Sequence, residues 1–147
     1  MNFIDTDILV IDKLFPKDKR FKINQKLLHL FEVGELEGCT SIYNVFELLG
    51  IASFNLTESE LRNLLEGFES SFNIRIIYPV ITVDSANDFI AKFFDNAFKK
   101  ICLKMNFTDA VILQIAEENL CTSFITWNTK HFKNRTFLEV QTPQDLL

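Results

Sequence analysis

The sequence is poor in the residues that form linkers and in the long apolar runs that form membrane spans. It contains only 4 glycines and 3 prolines in 147 residues, which argues against long disordered segments. No run of about 18 uninterrupted apolar residues occurs. The N-terminus also lacks a basic region followed by an apolar run and a small-residue cleavage site. Neither a membrane span nor an export signal is expected, and the sequence predicts a cytoplasmic protein.

Cysteine is equally sparse, and its spacing argues against two common uses. The 3 cysteines, Cys39, Cys102 and Cys121, lie far apart in the sequence. They lack the close pairs that mark a structural zinc site or a redox motif. An odd and widely spaced set of this kind favours reduced thiols that are buried in the core.

Basic residues are almost absent from one long segment. Between Leu27 and Ile74 the chain has eight acidic residues and a single base, Arg62. The net charge of −5 argues weakly against a surface that coats nucleic acid broadly. The other bases form three clusters: Lys17, Lys19, Arg20, Lys22 and Lys26; Lys92, Lys99, Lys100 and Lys104; Lys130, Lys133 and Arg135. Most such clusters are solvated faces, but a locally basic face can still bind a polyanion.

Apolar side chains, by contrast, are abundant. The chain is 48% hydrophobic and contains 16 phenylalanines. Its 147 residues suffice for one domain, and a domain of this size buries roughly 68–70% of the surface that the unfolded chain exposes. We therefore predict a single domain over residues 1–147.

Short apolar strands alternate with helical segments along the chain. The pattern predicts strands at 3–4, 39–42, 74–78, 123–126 and 137–140, and helices after residue 7 and over 22–33, 41–53, 57–70, 85–103 and 108–120. The helix over 57–70 opens with the capping box T-E-S-E. We predict an α/β fold, a three-layer α/β/α sandwich around a mainly parallel sheet of about five strands. Such sheets bind ligands at the carboxyl ends of their strands.

The first strand ends in two acids separated by a threonine, F-I-D-T-D. Asp5 and Asp7 fall on one side of an extended backbone, where like charges repel unless a positive centre lies between them. Asp5 also lies at the end of the strand where ligands bind in such folds. The plain alternative is a turn in which the acids cap the following helix. The residues alone leave both interpretations open.

The helix that ends at about Ser53 carries one charged residue, Glu47, among apolar residues on nearly every side. A helix that is apolar all round is largely buried, and an unpaired buried carboxylate is costly. Glu47 is therefore expected either to face a narrow solvent gap or to pair with a positive centre.

A third acid opens the late helix in the segment M-N-F-T-D-A-V-I-L-Q. Asp109 stands seven residues before Ala116 and projects along the apolar face, away from Glu117 and Glu118, which we expect to be exposed. The first turn of a helix also favours a carboxylate. A capping role, with Asn106 as N-cap and Asp109 at N3, is compatible with a place in a site.

A fourth polar position follows the fourth strand, in the segment T-W-N-T-K-H-F. Thr126 ends that strand and Asn128 lies in the loop beyond it, where asparagine is ordinarily a turn former. His131 is interpreted as a packing or capping residue, because no second His or Cys stands at metal-ligand spacing.

Three carboxylates and one amide can therefore meet at one edge of the predicted sheet. They belong to Asp5, Glu47, Asp109 and Asn128. Hard oxygen ligands without His or Cys suit Mg²⁺ or Mn²⁺ rather than zinc. The sequence predicts a site for one of these ions.

The order of these motifs resembles the PIN-domain family, small metal-dependent ribonucleases that include the VapC-type toxins of prokaryotic toxin–antitoxin pairs. The motifs are F-I-D-T-D, V-F-E-L-L, D-A-V-I and T-W-N-T-K-H-F, and they cover essentially the whole chain. The resemblance implies that Asp5, Glu47 and Asp109 bind the metal ion.

The sequence departs from the family pattern at two positions. A family position that is usually acidic falls on Asn128, so one ion is expected to bind well, while a second would need the substrate phosphate to complete its shell. Asp7 replaces an asparagine that is common in the family. Asp7 and Thr126 are candidates to support the metal-binding side chains, and Asp7 is alternatively a substitute for the missing acid or a plain cap.

The resemblance implies that Asp5, Glu47, Asp109 and Asn128 catalyse hydrolysis of RNA phosphodiester bonds with Mg²⁺ or Mn²⁺. It further implies a toxin with an antitoxin protein as partner, and a homodimer. The bases that flank the site in sequence are expected to guide the RNA backbone: Lys99, Lys100, Lys104, Lys130 and Lys133.

Two other functions compete with this one. A catalytically weak PIN-like module that binds a partner protein or RNA is indicated by Asn128, by the acidic segment 27–74 and by the excess of phenylalanine. A receiver-like signalling domain also gathers acids at strand ends, but Lys130 is poorly placed for the lysine that such a domain needs.

Overall fold

The chain folds around a five-stranded sheet, seen in a computed structural model that describes residues 1–147. The strands are β1 (Asn2–Ile4), β2 (Gly38–Ser41), β3 (Ile74–Ile77), β4 (Ser123–Ile125) and β5 (Glu139–Gln141). Their order is β3-β2-β1-β4-β5, and every neighbouring pair is parallel. The predicted parallel sheet is confirmed, although β5 begins at Glu139 rather than at Phe137, whose side chain is exposed.

Seven α-helices flank the sheet, because parallel neighbours need long crossover connections. They are α1 (Thr6–Leu14), α2 (Phe21–Glu32), α3 (Ile42–Ala52), α4 (Glu58–Glu66), α5 (Phe68–Phe72), α6 (Ala86–Ile101) and α7 (Phe107–Glu118). Two short 3-10 helices, Thr129–His131 and Pro143–Leu146, follow β4 and β5. None of the helices has the length and apolar character needed to cross a bilayer.

Adjacent residues of each central strand face opposite layers. On β1, Phe3 packs in one core with α6 and α7, while Ile4 packs in a second core with α1, α2, α3 and α5. Phe124 and Ile125 divide in the same way on β4. Both faces of the sheet are thus covered by helices, which confirms the three-layer α/β/α sandwich.

A buried aromatic stack fixes the loop after β4. The ring of Phe124 lies between Phe3, with centroids 4.9 Å apart, and Phe132, at 4.3 Å. Phe132 is fully buried although it lies in a loop. Burial of that ring, worth about 1.5–3 kcal/mol, anchors the segment 126–132 against the sheet.

Two helix predictions need correction. The segment 57–70 was expected to form one helix, but α4 ends at Glu66 and α5 begins at Phe68, with a break at Gly67. A Cβ at Gly67 would lie 2.9 Å from the carbonyl oxygen of Asn63, so this tight turn requires glycine. The capping box at Thr57 is present as predicted.

α3 was expected to be largely buried, and that expectation is wrong. It buries one face against α1 and α4, while Tyr43, Phe46 and Ile51 are 42%, 57% and 39% exposed. The apolar residues therefore exceed what the neighbouring elements can cover. They give α3 an apolar outer face.

The cysteine prediction holds for two residues out of three. Cys39 and Cys121 are buried with their sulfurs 3.4 Å apart. Cys102, which follows α6, is exposed, in contrast to the expectation.

Candidate active site at the carboxyl edge of the sheet

Asp5 lies between β1 and α1 and has two structural roles. Its backbone N–H donates to the carbonyl of Ile125, which continues the pairing of β1 with β4. Its side chain N-caps α1, with Oδ1 accepting from the N–H of Thr6 at 2.8 Å. Asp5 is only 7% exposed. The strand-end position and the cap, which the sequence left as alternatives, are therefore both present.

The hydroxyl of Thr126 connects Asp5 to Asp7. Thr126 Oγ1 is 2.7 Å from Asp5 Oδ2 and 3.1 Å from Asp7 Oδ2. A hydroxyl has one proton, so the two carboxylates compete for this donor. Asp7 Oδ2 also accepts from the N–H of Trp127 at 2.9 Å, while Asp7 Oδ1 is buried without a hydrogen-bond partner.

Both acids have a pKa above the ordinary value of 3.8. Burial is the main cause of the raised pKa of Asp5, and the charge of Asp7 adds to it. The charge of Asp109 raises this pKa further, against the hydrogen bonds from Thr126 and Thr6. Burial raises the pKa of Asp7 to about 6, although Thr126, Trp127 and Arg20 oppose the shift. Negative charge is thus concentrated at this edge, and a bound cation would offset it.

Asn44, which the sequence analysis missed, connects Asp5 with Glu47. It is fully buried in the first turn of α3, and its Nδ2 donates to Thr6 Oγ1 at 2.8 Å and to Asp5 Oδ1 at 3.4 Å. Thr6 Oγ1 in turn donates to Glu47 Oε2 at 2.5 Å. The segment S-I-Y-N could have indicated Asn44 as a site residue. Ser41 caps α3, and Asn44 stands three residues before Glu47 on the same side of the helix.

Glu47 itself is half-buried and faces Thr6 rather than a basic group. The carboxylate is partly open to solvent, which is one of the two expected environments. Pairing with a positive centre such as a metal ion stays a prediction. No cation of the chain forms an ion pair with its carboxylate.

Asp109 stands in the first turn of α7, where the predicted cap is present. Asn106 N-caps the helix by accepting from the N–H of Asp109, and its Nδ2 donates to Asp109 Oδ2 at 2.8 Å. The same Oδ2 is 2.9 Å from Nδ1 of His131. The side chain of Asp109 is 18% exposed, so its carboxylate lies at the surface of the site.

Asn128 and His131 close the site from the loop after β4. The N–H of Asn128 donates to Thr126 Oγ1 at 2.9 Å, and its Nδ2 is 3.0 Å from Nδ1 of His131. His131, interpreted from the sequence as a packing or capping residue, is exposed and contacts both Asp109 and Asn128. Sequence spacing gave no signal for the contact with Asp109, because it joins residues 22 positions apart.

The predicted metal ligands do not form one cluster with these side-chain orientations. No three His, Cys, Asp or Glu side chains are close enough to hold one ion together. Asp5 and Asp7 meet at Thr126, Glu47 is bound to Thr6, and Asp109 is bound to His131. The donor set nevertheless fits a hard divalent cation, since it consists of carboxylates. Beside it, Oδ1 of Asp7 is buried without a hydrogen-bond partner.

Two expectations about charged residues near α7 are wrong. Lys100 is not free to contact RNA, because its Nζ pairs with Glu117 Oε2 at 2.6 Å and its side chain is 13% exposed. Glu117 also accepts from Thr136, and Glu118 accepts from Gln114 and from the N–H of Val80. Contrary to the expectation, neither glutamate is exposed, because contacts with other segments partly cover both.

The remaining lysines differ in their availability. Lys99 pairs with Asp95 on the surface of α6. Lys104, Lys130 and Lys133 are exposed and form no ion pair. These three are the flanking bases that remain accessible to an anion.

Solved structures resemble this fold over nearly its full length. A chain of VapBC-1 from nontypeable Haemophilus influenzae superposes with a TM-score of 0.63 at 20% identity, covering 97% of this chain and 98% of the other. A chain of FitAcB from Neisseria gonorrhoeae gives 0.62 at 17% identity, covering 98% and 99%. A chain of FitAB bound to an IR36 DNA fragment gives 0.61 at 16% identity, covering 97% and 95%.

At the level of sequence, no family model and no curated protein matches the chain. The structural likeness and the five-stranded parallel sheet agree with the fold that the four motifs implied. The chain therefore has a PIN-like fold, the three-layer α/β/α architecture of the VapBC-1 and FitAB chains that it resembles.

Proposed function

We propose that the protein is a Mg²⁺- or Mn²⁺-dependent ribonuclease that hydrolyses RNA phosphodiester bonds. The observation that carries the proposal is the buried Asp5 at the carboxyl end of β1, whose charge is opposed by Asp7 and Asp109. A capping role alone needs one carboxylate and does not account for two further carboxylates whose charges oppose the ionisation of Asp5. A divalent cation at this edge would offset their charge, as the PIN-like fold leads one to expect.

The chain supplies ligands and the groups that orient them. Asp5 and Asp109 would hold the ion, and Glu47 would join them by exchanging Thr6 for the cation. A bound Mg²⁺ or Mn²⁺ lowers the pKa of water and offsets charge on phosphate oxygens. Thr126 fixes Oδ2 of Asp5 and so orients the carboxylate.

Asn128 takes part in this proposal through two neutral contacts. Its backbone N–H donates to Thr126 Oγ1, and its side-chain Nδ2 contacts Nδ1 of His131. Because Asn128 adds no charge, we propose one strongly held ion rather than two. Asp7 would support the site through Thr126 and Trp127 rather than as a ligand.

We propose that the RNA backbone is guided by Lys104, Lys130 and Lys133. All three are exposed, and Lys130 and Lys133 lie on either side of His131 in the loop that borders Asp109. Each lysine that contacts a phosphate adds salt dependence to binding. Lys100 is left out because Glu117 binds it.

A toxin role with an antitoxin protein as partner is supported by the similarity to the VapBC-1 and FitAB chains over at least 97% of this chain. The resemblance of the motifs to VapC-type toxins points the same way. Co-purification with the product of an adjacent reading frame, and inhibition of cleavage by that product, would test the partnership.

The ribonuclease proposal predicts ion-dependent cleavage that requires Asp109. Wild-type protein is expected to cleave a mixed-sequence RNA with Mn²⁺ and to stop when the ion is chelated. Asp109→Asn retains the size of the side chain but removes its charge, so we expect at least about 100-fold slower cleavage, or roughly 2.7 kcal/mol. Cleavage can be measured on a labelled RNA under single-turnover conditions.

Asp95→Asn is the matched control, because Asp95 is an exposed aspartate that pairs with Lys99 on α6. Its cleavage rate is expected to equal that of wild type. Wild-type cleavage that persists after chelation and is unaffected by Asp109→Asn would contradict the proposal.

The alternative, a catalytically weak module that binds a protein or RNA, is favoured by two observations. The acids do not form a three-ligand cluster in this structure, and Asn128 is neutral. Calorimetric titration with Mn²⁺ separates the two functions. Binding that is lost in Asp5→Asn supports the ribonuclease, whereas absent binding, or binding unchanged by the substitution, supports the module.

We propose that a second copy of the chain covers the apolar face of α6. Ile90, Phe94 and Phe98 are spaced four residues apart and are 51%, 54% and 63% exposed, so they form one apolar stripe. Phe98→Asp is expected to convert a dimer to a monomer, as measured by light scattering after size-exclusion chromatography. Lys99→Gln changes the charge of the same helix by the same amount, at an exposed position about 100° or more around the helix from the stripe, and should leave the dimer intact. A monomeric wild-type protein would rule the dimer out.

A further inference from the structure

A cavity of about 230 Å³ lies between α6, α7 and the segment 78–85. It shares no lining residue with the acidic site. Its walls include Phe89, Phe93, Lys92 and Asn96 from α6, and Gln114 and Glu118 from α7. The volume exceeds the roughly 150 Å³ that accepts benzene and falls below the roughly 300 Å³ of typical drug-sized sites. The cavity is therefore of a size to hold one bicyclic heteroaromatic ring system.

Gln114 is the polar exception in this part of α7. Residues 110–116 are all buried, and Gln114 is the only one of them that is not apolar. Its Nε2 donates to Glu118 Oε1 at 2.9 Å, while its Oε1 is buried and has no hydrogen-bond partner. Burial of an unpaired acceptor is costly. A ligand that brings an N–H donor to this oxygen would remove the cost.

Glu118 places a second acceptor beside the first. Its carboxylate accepts from Gln114 and, at 3.3 Å, from the N–H of Val80, and each oxygen keeps a further lone pair. Two adjacent acceptors match the two adjacent N–H donors on the Watson–Crick edge of guanine, N1–H and the exocyclic amino group. Adenine presents an acceptor and one amino group on that edge, and so does not match.

The rest of the cavity favours a nucleotide over a basic side chain from a partner protein. Phe89 and Phe93, with ring centroids 6.0 Å apart, supply aromatic surface for a base. Lys92 donates to Thr82 at 2.7 Å and has two further N–H groups that can meet a phosphate. Its positive charge would repel an arginine guanidinium. The cavity thus combines paired acceptors, aromatic walls and a cation.

We propose that this cavity binds a guanine base, with Gln114 and Glu118 accepting from its Watson–Crick edge and Lys92 near its phosphate. The base can come from a free guanine nucleotide or from an RNA strand. In the second case the cavity deepens the proposed ribonuclease function, on which that source rests, by setting a preference for guanine in the substrate.

The proposal is tested by titrating the protein with guanosine 5′-monophosphate (GMP) and with adenosine 5′-monophosphate (AMP) in a calorimeter. We expect GMP to bind at least ~10-fold more tightly than AMP. Gln114→Leu and Glu118→Gln should each weaken GMP binding at least ~10-fold. Glu66→Gln, at an exposed glutamate outside the cavity, should have no effect.

Thermal melts check that each variant is folded, and Glu118→Gln keeps the test valid should Gln114→Leu prove unstable. Equal binding of GMP and AMP, or no binding of either, would overturn the proposal. Binding of arginine amide in preference to GMP would also overturn it, and would assign the cavity to a partner protein.

The source of the base and the link to cleavage are separated with Asp109→Asn, which should bind GMP like wild type. Displacement of GMP from this variant by an oligouridylate that carries one guanosine assigns the base to RNA. No displacement assigns it to a free nucleotide. Guanine binding without RNA cleavage would refute only the ribonuclease function, whereas cleavage without guanine binding would refute only this inference.

Discussion

Asp5→Asn is expected to slow RNA cleavage about 10³-fold, or about 4 kcal/mol in the barrier, and at the same time to raise the melting temperature. The activity falls because the proposed ion loses its most buried carboxylate. The melting temperature rises because burial and the charges of Asp7 and Asp109 oppose ionisation of Asp5, which keeps its pKa raised. A neutral amide removes that opposition.

The N-cap hydrogen bond of α1 should survive this substitution. Asn at position 5 still offers an oxygen to the N–H of Thr6, and the hydroxyl of Thr126 can then donate to Asp7 alone. The free energy of unfolding typically rises by roughly 1 kcal/mol when a strained functional group is neutralised. For a chain of this size, such a gain raises the melting temperature by about 2–4 °C. Single-turnover cleavage with Mn²⁺ measures the first effect, and thermal melts at pH 8 without divalent ions measure the second.

Asp84→Asn, at an exposed aspartate outside the site, serves as the control and should change neither quantity. A melting temperature that falls in Asp5→Asn, with a loss of cleavage explained by unfolding, would assign Asp5 to capping alone. The opposite signs of the two effects thus separate a binding site from a helix cap.

What could be predicted from the sequence depends on local chain geometry. Strands alternate with helices, so a parallel sheet and its carboxyl edge follow from the pattern alone. Asp5 stands at the end of β1, and Asp109 stands three residues after its cap Asn106, and both positions are set by neighbours along the chain. The predicted places of these two acids in the fold therefore agree with the structure.

What could not be predicted depends on contacts between distant segments. His131 meets Asp109 because the buried ring of Phe132 anchors the loop against Phe124. Lys100 forms an ion pair with Glu117 because α6 packs on α7. The sequence does not indicate this pairing. Charge and spacing identify which residues are chemically able to act, whereas packing decides which of them are already engaged.

Asp7→Asn is expected to stabilise the protein at pH 8 and to have little effect at pH 4. The pKa of Asp7 is raised from 3.8 to about 6 in the folded protein, mainly by burial. The folded state therefore binds the proton more tightly than the unfolded state. This contribution to stability is fully present below pH 3.8 and is lost as the pH rises through 6.

The difference between the two pKa values corresponds to about 3 kcal/mol at pH 8. The free energy of unfolding of Asp7→Asn should therefore exceed that of wild type by about 2–3 kcal/mol at pH 8, with the gap closing between pH 7 and pH 4. Denaturant titrations at a series of pH values, without divalent ions, measure this gap. Asp95→Asn, at an exposed carboxylate, should follow the wild-type curve.

Added Mn²⁺ gives an independent check on the cause. A cation near Asp5 and Asp7 offsets their repulsion, so Mn²⁺ at pH 8 should stabilise wild type more than Asp7→Asn, by linkage to ion binding. Because one oxygen of the Asp7 carboxylate has no hydrogen-bond partner, this carboxylate should respond more strongly to added Mn²⁺ than the neutral amide of Asp7→Asn. Stability curves for wild type and Asp7→Asn that stay parallel from pH 4 to pH 8, with equal responses to Mn²⁺, would show that Asp7 is a solvated cap and that its burial has no electrostatic cost.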